Sequence, residues 1–169
     1  DKLSKHFFDN YKEKAKFEAN EMHDWNSAKF YSEKAIEASK GKKIIPQKID
    51  LWKIPSKQSL NLIKGYDNLM IVYEQAAILD PFNLAKAVSS LDCWSEQLEE
   101  GWQKLDINKC KTDFLEAMHE IYLNLNKNEI KNLKEKKKKS DGATLVTKNN
   151  SEEILQIIYF DFDKSDLTL

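Results

Sequence analysis

A chain of 169 residues has room for one domain with a real core and too little for two of ordinary size. Its 27 basic and 28 acidic side chains leave a formal charge of -1, so no broad field steers polyanions toward it. Every basic residue is a lysine, and the lack of arginine's bidentate fork argues against nucleic acid as a partner.

No apolar run approaches the ~20 residues that span a bilayer. A start at Asp1-Lys2-Leu3, without a Met, is expected of a processed export product or a trimmed chain. Two cysteines suit one disulfide in an oxidising space and are too few for a zinc site built from thiolates alone.

From Leu3 to about Met22, the spacing of Phe8, Tyr11, Ala15, Ala19 and Met22 predicts an amphipathic helix. Asp24 is an N-cap for a second helix, in which Ala28, Tyr31, Ala35 and Ala38 keep the period up to a stop at Gly41. Small residues on facing stripes let two axes approach, so the pair reads as a helical hairpin. Between Gly41 and Pro55, apolar residues broken by Pro46 and Pro55 predict an ordered, extended connection lying against the bundle, with Trp52 as a hydrophobic peg or a docking residue.

Ser56 is the expected cap of a third helix, with Leu60, Ile63, Tyr66, Met70, Tyr73 and Ala77 as its inner stripe; this helix should be the most buried. Asp80-Pro81 restarts the chain as a fourth, carrying Leu84, Val88, Leu91, Leu98 and Trp102 inward until Gly101 ends it. A fifth begins at Asp106 with the stripe Cys110, Phe114, Ala117, Ile121 and Leu125. The lysine run from Lys134 to Lys139 suits a solvated helix C-terminus, and the polar stretch after it reads as a linker. At Ile157 to Asp163 the period changes to that of a strand, which needs a partner from elsewhere.

The run Ile158-Tyr159-Phe160-Asp161-Phe162-Asp163-Lys164-Ser165-Asp166-Leu167-Thr168 resembles the first strand and turn of the OmpA-like peptidoglycan-binding domain. Members of that family tie the outer envelope to the cell wall by gripping the diaminopimelate of the peptide stem. The resemblance implies peptidoglycan as a partner, contacted by residues that would lie beyond Leu169. Residues 5 to 115 are similar to the helical region preceding such a domain in a group of proteobacterial OmpA-family lipoproteins. That likeness rests on Phe8 to Tyr11, Glu21 to Trp25, Glu33-Lys34-Ala35, Pro46 with Trp52, and Asp92-Cys93-Trp94 through Trp102 to Cys110. It implies export, a lipid anchor on a cysteine before Asp1, and residence in the periplasm at the outer membrane. Ala28 and Ala35 also have the spacing of small positions in a tetratricopeptide repeat, though no second copy recurs at a fixed period.

Chemistry is sparse. His6, His23 and His119 fall on different helices without ligand spacing, and adjacent acids such as Glu99-Glu100 diverge on a helix, so no metal, cofactor or catalytic residues are assigned. Cys93 lacks a nearby His and an oxyanion loop, and a Cys93–Cys110 disulfide is preferred to two thiols or a nucleophile. Were the fourth helix to run unbent to Gln103, Cys93 would lie ~15 Å below the turn and Cys110 about 5 Å past it. The loop from Trp102 to Ile107 would then have to fold back, since Cα atoms more than ~7 Å apart exclude the bond.

The sequence thus predicts an all-α bundle of about five helices over residues 1–137, a lysine-rich and polar linker over 138–153, and the start of an OmpA-like domain over 154–169. The expected function is a non-enzymatic envelope module, a spacer or protein-docking platform with Trp25, Trp52 and Trp102 as its candidate docking residues. A helical adaptor that binds partner peptides without any cell-wall role is the alternative.

Overall fold

The structure, a computed structural model, describes the backbone of residues 1–140 and the side chains of residues 1–134. The strand read at residues 157–163 therefore lies outside the described residues, as does the linker beyond Ser140. The chain divides into two compact units, Asp1–Glu129 and Ile130–Leu169. The first holds the bundle.

Five α-helices make up the described residues: α1 (Lys2–Phe17), α2 (Trp25–Ser39), α3 (Ser56–Leu79), α4 (Pro81–Glu100) and α5 (Lys104–Ser140). A π-helical turn, Glu18–Met22, joins α1 to α2, and a short 3-10 turn, Ile49–Leu51, interrupts the connection between α2 and α3. The punctuation follows local chemistry. Asp24 Oδ1 accepts from the backbone N–H groups of Asn26 and Ser27, capping α2. Asp80 caps α4 through the Asn83 N–H, with Pro81 at the first helical position. Gly41 and Gly101 end α2 and α4 in left-handed conformations, φ 71° and 78°. Ser56 is the first residue of α3 rather than its cap; Pro55 holds the cap position, which has no side-chain hydrogen bond.

Helix α4 is the centre. Thirteen of its 20 residues are buried, against six of 24 in α3. It packs against both α1 and α3, while α1 and α2 form the hairpin. The expectation that α3 would be the most buried is thus corrected. Its true inner stripe is Leu62, Gly65, Leu69, Val72, Tyr73 and Ala76, and Leu60, Ile63, Ile71 and Ile78 face solvent. Apolar residues surround α3 on all sides, so periodicity alone placed the stripe too early. In α1, Phe7 rather than Phe8 joins Tyr11 and Ala15 in the core. In α5 the whole stripe of Cys110, Phe114, Ala117, Ile121 and Leu125 is buried. Phe114 fits against Gly65, where a Cβ atom would lie 3.0 Å from the ring, and its ring centroid is 6.0 Å from that of Trp94.

The connection between α2 and α3 lies on the bundle as expected, with Ile44, Pro46 and Ile49 buried. Hydrogen bonds pin it: the Tyr73 hydroxyl donates to the Ile44 carbonyl (2.6 Å), and the Lys53 N–H donates to Glu99 (2.8 Å).

Cys93 and Cys110 are bonded, with Cα atoms 5.7 Å apart. The obstacle foreseen from the sequence disappears because α4 stops at Glu100 and α5 starts at Lys104. At 1.5 Å per residue, Cys93 lies about 10 Å below the turn on one helix and Cys110 about 9 Å below it on the other, so the two meet at one level.

Candidate functional site

The buried face of α4 carries carboxylates where apolar residues are expected, and two clusters result. At the first, Asp92 is 1% exposed. Its Oδ2 accepts from the Tyr11 hydroxyl (2.6 Å) and the Lys34 ammonium (2.7 Å), and its Oδ1 from the Gln47 N–H (2.7 Å). Lys34 also donates to the Ile45 carbonyl (2.6 Å) and stands over the rings of Tyr11 and Phe30. One carboxylate thus ties α1, α2 and the connection to α4. Every partner is matched, which marks this cluster as structural. Burial, and then the Asp92 charge, hold the Tyr11 hydroxyl well above the usual phenol range.

One turn further along α4 the second cluster is not matched. Glu96 accepts from the Ser27 hydroxyl (2.8 Å) at Oε1, and from the Gln97 amide (2.9 Å) and the Tyr31 hydroxyl (3.5 Å) at Oε2. Carboxylate oxygens of Asp24, Glu96 and Glu100 all lie within 4.8 Å of one another. Glu18, at the start of the π-turn, continues α1's buried stripe and is 3% exposed, outside that group of three. Its Oε2 has no hydrogen-bond partner among the described residues, and neither has Gln97 Oε1. The charges acting most strongly on Glu18 are those of Glu96, Glu100 and Asp24. Burial, followed by these neighbours, lifts the Glu18 carboxyl to about 8 and the Glu100 carboxyl to about 7; burial raises Glu96 as well. Lys14 is the cation of the neighbourhood, and burial depresses its ammonium to about 8. It makes no ion pair with the four acids.

The structure separates the docking candidates. Trp25 and Trp102 are 70% and 69% exposed, so neither serves the core. Trp102 sits in the turn after α4, not on that helix's inner face. Trp52 is half-buried, edge-on to Phe30 at 5.4 Å, and lines an open groove of about 510 Å³ with Ile49, Ile54, Ile63 and Tyr66. Its indole N–H is buried without a partner among the described residues. The three tryptophans do not converge on one patch of the groove. Cys93 and Cys110 offer no free thiol. His6 packs edge-on against Phe82 (5.5 Å), and His23 occupies the left-handed turn before α2, φ 56°.

Sequence reasoning missed the acidic cluster because it paired neighbours in sequence. Glu99 and Glu100 diverge, but Glu96 and Glu100, four apart, share a face, and Asp24 had been recognised only as a cap. The placement of Glu18 on the same stripe as Phe7, Tyr11 and Ala15 was the remaining readable signal.

No described helix is long and apolar enough to cross a membrane. Comparison with family models, with curated proteins and with solved structures finds no match to this chain.

Proposed function

We propose that this chain is a non-enzymatic helical module of the bacterial cell envelope, resident in the periplasm at the outer membrane. It acts as a spacer or protein-docking platform for a peptidoglycan-binding domain of the OmpA-like type. The observation that carries this reading is the Cys93–Cys110 disulfide, since such bonds persist in oxidising compartments and are rare in the cytosol. The likeness of residues 158–168 to the opening of an OmpA-like domain supplies the wall-binding part. Catalysis has no place in this reading, because the sulfur of Cys93 is already bonded and the buried hydrogen bonds of Asp92 are all internal. The docking surface is the groove beside Trp52, which Ile49, Ile54, Ile63 and Tyr66 line with apolar and aromatic side chains.

Two measurements test it. Alkylation of the unfolded, unreduced protein taken from its native cells is expected to label neither cysteine, and both after reduction. In sedimentation with purified peptidoglycan, a version extended through a whole OmpA-like domain is expected to pellet while Asp1–Leu169 stays in the supernatant. Labelling of both cysteines without reduction would remove the oxidising compartment, and failure of the extended version to pellet would remove the wall. Either result favours a helical adaptor that takes peptides into the Trp52 groove.

A further inference from the structure

We propose that the outward face of α3 is a self-association surface, on which a second copy of this chain docks with its own α3 antiparallel to the first. The inference goes beyond the envelope reading and does not depend on it, since it rests on α3 alone.

Helix α3 leaves Leu60, Ile63, Ile71 and Ile78 in solvent, with Ile71 78% and Ile78 82% exposed. Scattered apolar residues on a surface are ordinary, but three of these share one register. Positions 60, 64, 67, 71, 74 and 78 alternate steps of four and three, which is the spacing of a seam between two helices. At ~100° per residue they stay within about 40° of one line along the helix. They read Leu60, Lys64, Asp67, Ile71, Glu74 and Ile78, and all six are exposed. The buried stripe of Leu62, Leu69, Val72 and Ala76 runs along the opposite side. The seam therefore serves no contact inside the bundle.

The order of its charges selects the occupant. The seam is basic toward its start, at Lys64, and acidic beyond, at Asp67 and Glu74. Parallel pairing with a second α3 would set lysine on lysine and glutamate on glutamate. Antiparallel pairing centred at the level of Leu69 sets Lys64 against the partner's Glu74, and Glu74 against the partner's Lys64. The same register puts Leu60 against the partner's Ile78, Ile78 against the partner's Leu60, and the two Ile71 side chains ~6 Å apart along the axis. The face is thus its own complement, as a two-fold contact between copies requires. Glu74 already meets Lys43, but both side chains are more than half exposed, which leaves the carboxylate open to a second ammonium.

The seam also sets the strength. From Leu60 to Ile78 it rises ~27 Å, and one helix face of ~10 Å width over that length covers far less than the ~800 Å² per partner of a standard interface. A reversible dimer with Kd on the order of 10–100 μM is expected.

Sedimentation velocity of the whole chain in low salt, from about 1 to about 500 μM, tests this; a monomer is expected at the low end and a dimer at the high end. Lys64→Glu alone and Glu74→Lys alone each oppose like charges, and each should weaken the dimer about tenfold or more. The double variant restores opposite charges and should recover the wild-type constant within about threefold. Ile78→Lys, which sets an ammonium against the partner's Leu60, should abolish dimerisation over the same range. All three positions are exposed, so the helical circular dichroism and the Tm of every variant should match the wild type. A chain that stays monomeric at the highest concentration overturns the proposal. A dimer indifferent to both single charge reversals places the contact on another face or sets the helices parallel, and overturns it as well. Single variants that weaken the dimer without recovery in the double variant overturn the antiparallel register.

Discussion

Replacing Asp92 by Ala removes the acceptor for three donors at once, and the structure allows the cost to be worked out. The Tyr11 hydroxyl and the Gln47 N–H lose their partners in a buried place, at about 1–3 kcal/mol each if wholly unsatisfied. The Lys34 ammonium loses its only ion pair among the described residues, and breaking a buried pair costs roughly 3–5 kcal/mol. These terms overlap, and Lys34 keeps the Ile45 carbonyl and the faces of Tyr11 and Phe30, so the lower half of the range applies to it. The expected total is about 4 kcal/mol, a large share of the ~5–15 kcal/mol that holds a domain together. Asp92→Asn keeps one oxygen for Gln47 but turns an amide donor toward Tyr11 and Lys34, so about 3 kcal/mol is expected. Urea denaturation at pH 7 of the wild type, Asp92→Asn, Lys34→Met and the double variant closes a cycle. Its coupling energy should be about 1.5–3 kcal/mol, since each single variant strands the other partner. A loss under about 1 kcal/mol in Asp92→Ala, or a coupling near zero, would refute the claim that this carboxylate ties four segments together.

Removing the disulfide by Cys93→Ala with Cys110→Ala opens a link across 17 residues, and about 3 kcal/mol should be lost in urea; an unchanged midpoint would show that the helices meet as well without it. Gly65→Ala gains ~1 kcal/mol of helix propensity but pushes a methyl to 3.0 Å from the fully buried Phe114 ring, where overpacking costs about 1–3 kcal/mol. The net expectation is a Tm lowered by a few degrees, and a raised Tm would mean that Phe114 can move. The folded pKa of Glu18, about 8, exceeds the ordinary 4.5. Stability should therefore fall as pH rises from about 4.5 to 8 and level off above it, because the unfolded chain ionises first. At ~1.4 kcal/mol per unit, this one group contributes on the order of 5 kcal/mol at most. Glu18→Gln should flatten the profile; a wild-type profile already flat over that window would contradict the crowding of the four acids.

What the sequence made legible was local. Asp24, Asp80-Pro81 and Gly101 act within three or four residues of themselves, and each does in the structure what its type predicts. The stripe of α5 was readable because polar residues flank it, so only one face could be the inner one. Helix α3 lacked that contrast: with Ile71 and Ile78 exposed and Leu62 and Leu69 buried, two overlapping stripes fit equally well and only packing chooses. The π-turn at Glu18–Met22 has no composition signal. Its consequence is nonetheless visible, since the Glu18 carbonyl accepts from the N–H of His23 and of Asp24, and its side chain is held at the buried face.

The polar core of α4 could not be read, for a reason that separates it from the caps. Asp92 finds its partners 81, 58 and 45 positions away, and Glu96 finds Ser27 at 69. Seen alone, both acids belong to a solvated face, and their burial follows only once α1, α2 and the connection have closed over α4. That closure sorts the two acids by what it brings. Around Asp92 it brings an ammonium, a hydroxyl and an N–H, and the charge is answered from within the chain. Around Glu96, one turn on, it brings the Ser27 and Tyr31 hydroxyls but also the acids Glu18 and Asp24, beside Glu100 of α4 itself, and a lysine that forms no pair with these acids. Two neighbouring turns of one helix thus bury carboxylates by opposite means. The chain supplies a full set of donors at the first place and, at the second, leaves the Oε2 of Glu18 without one among the described residues, so the second place is where burial of charge costs the fold most.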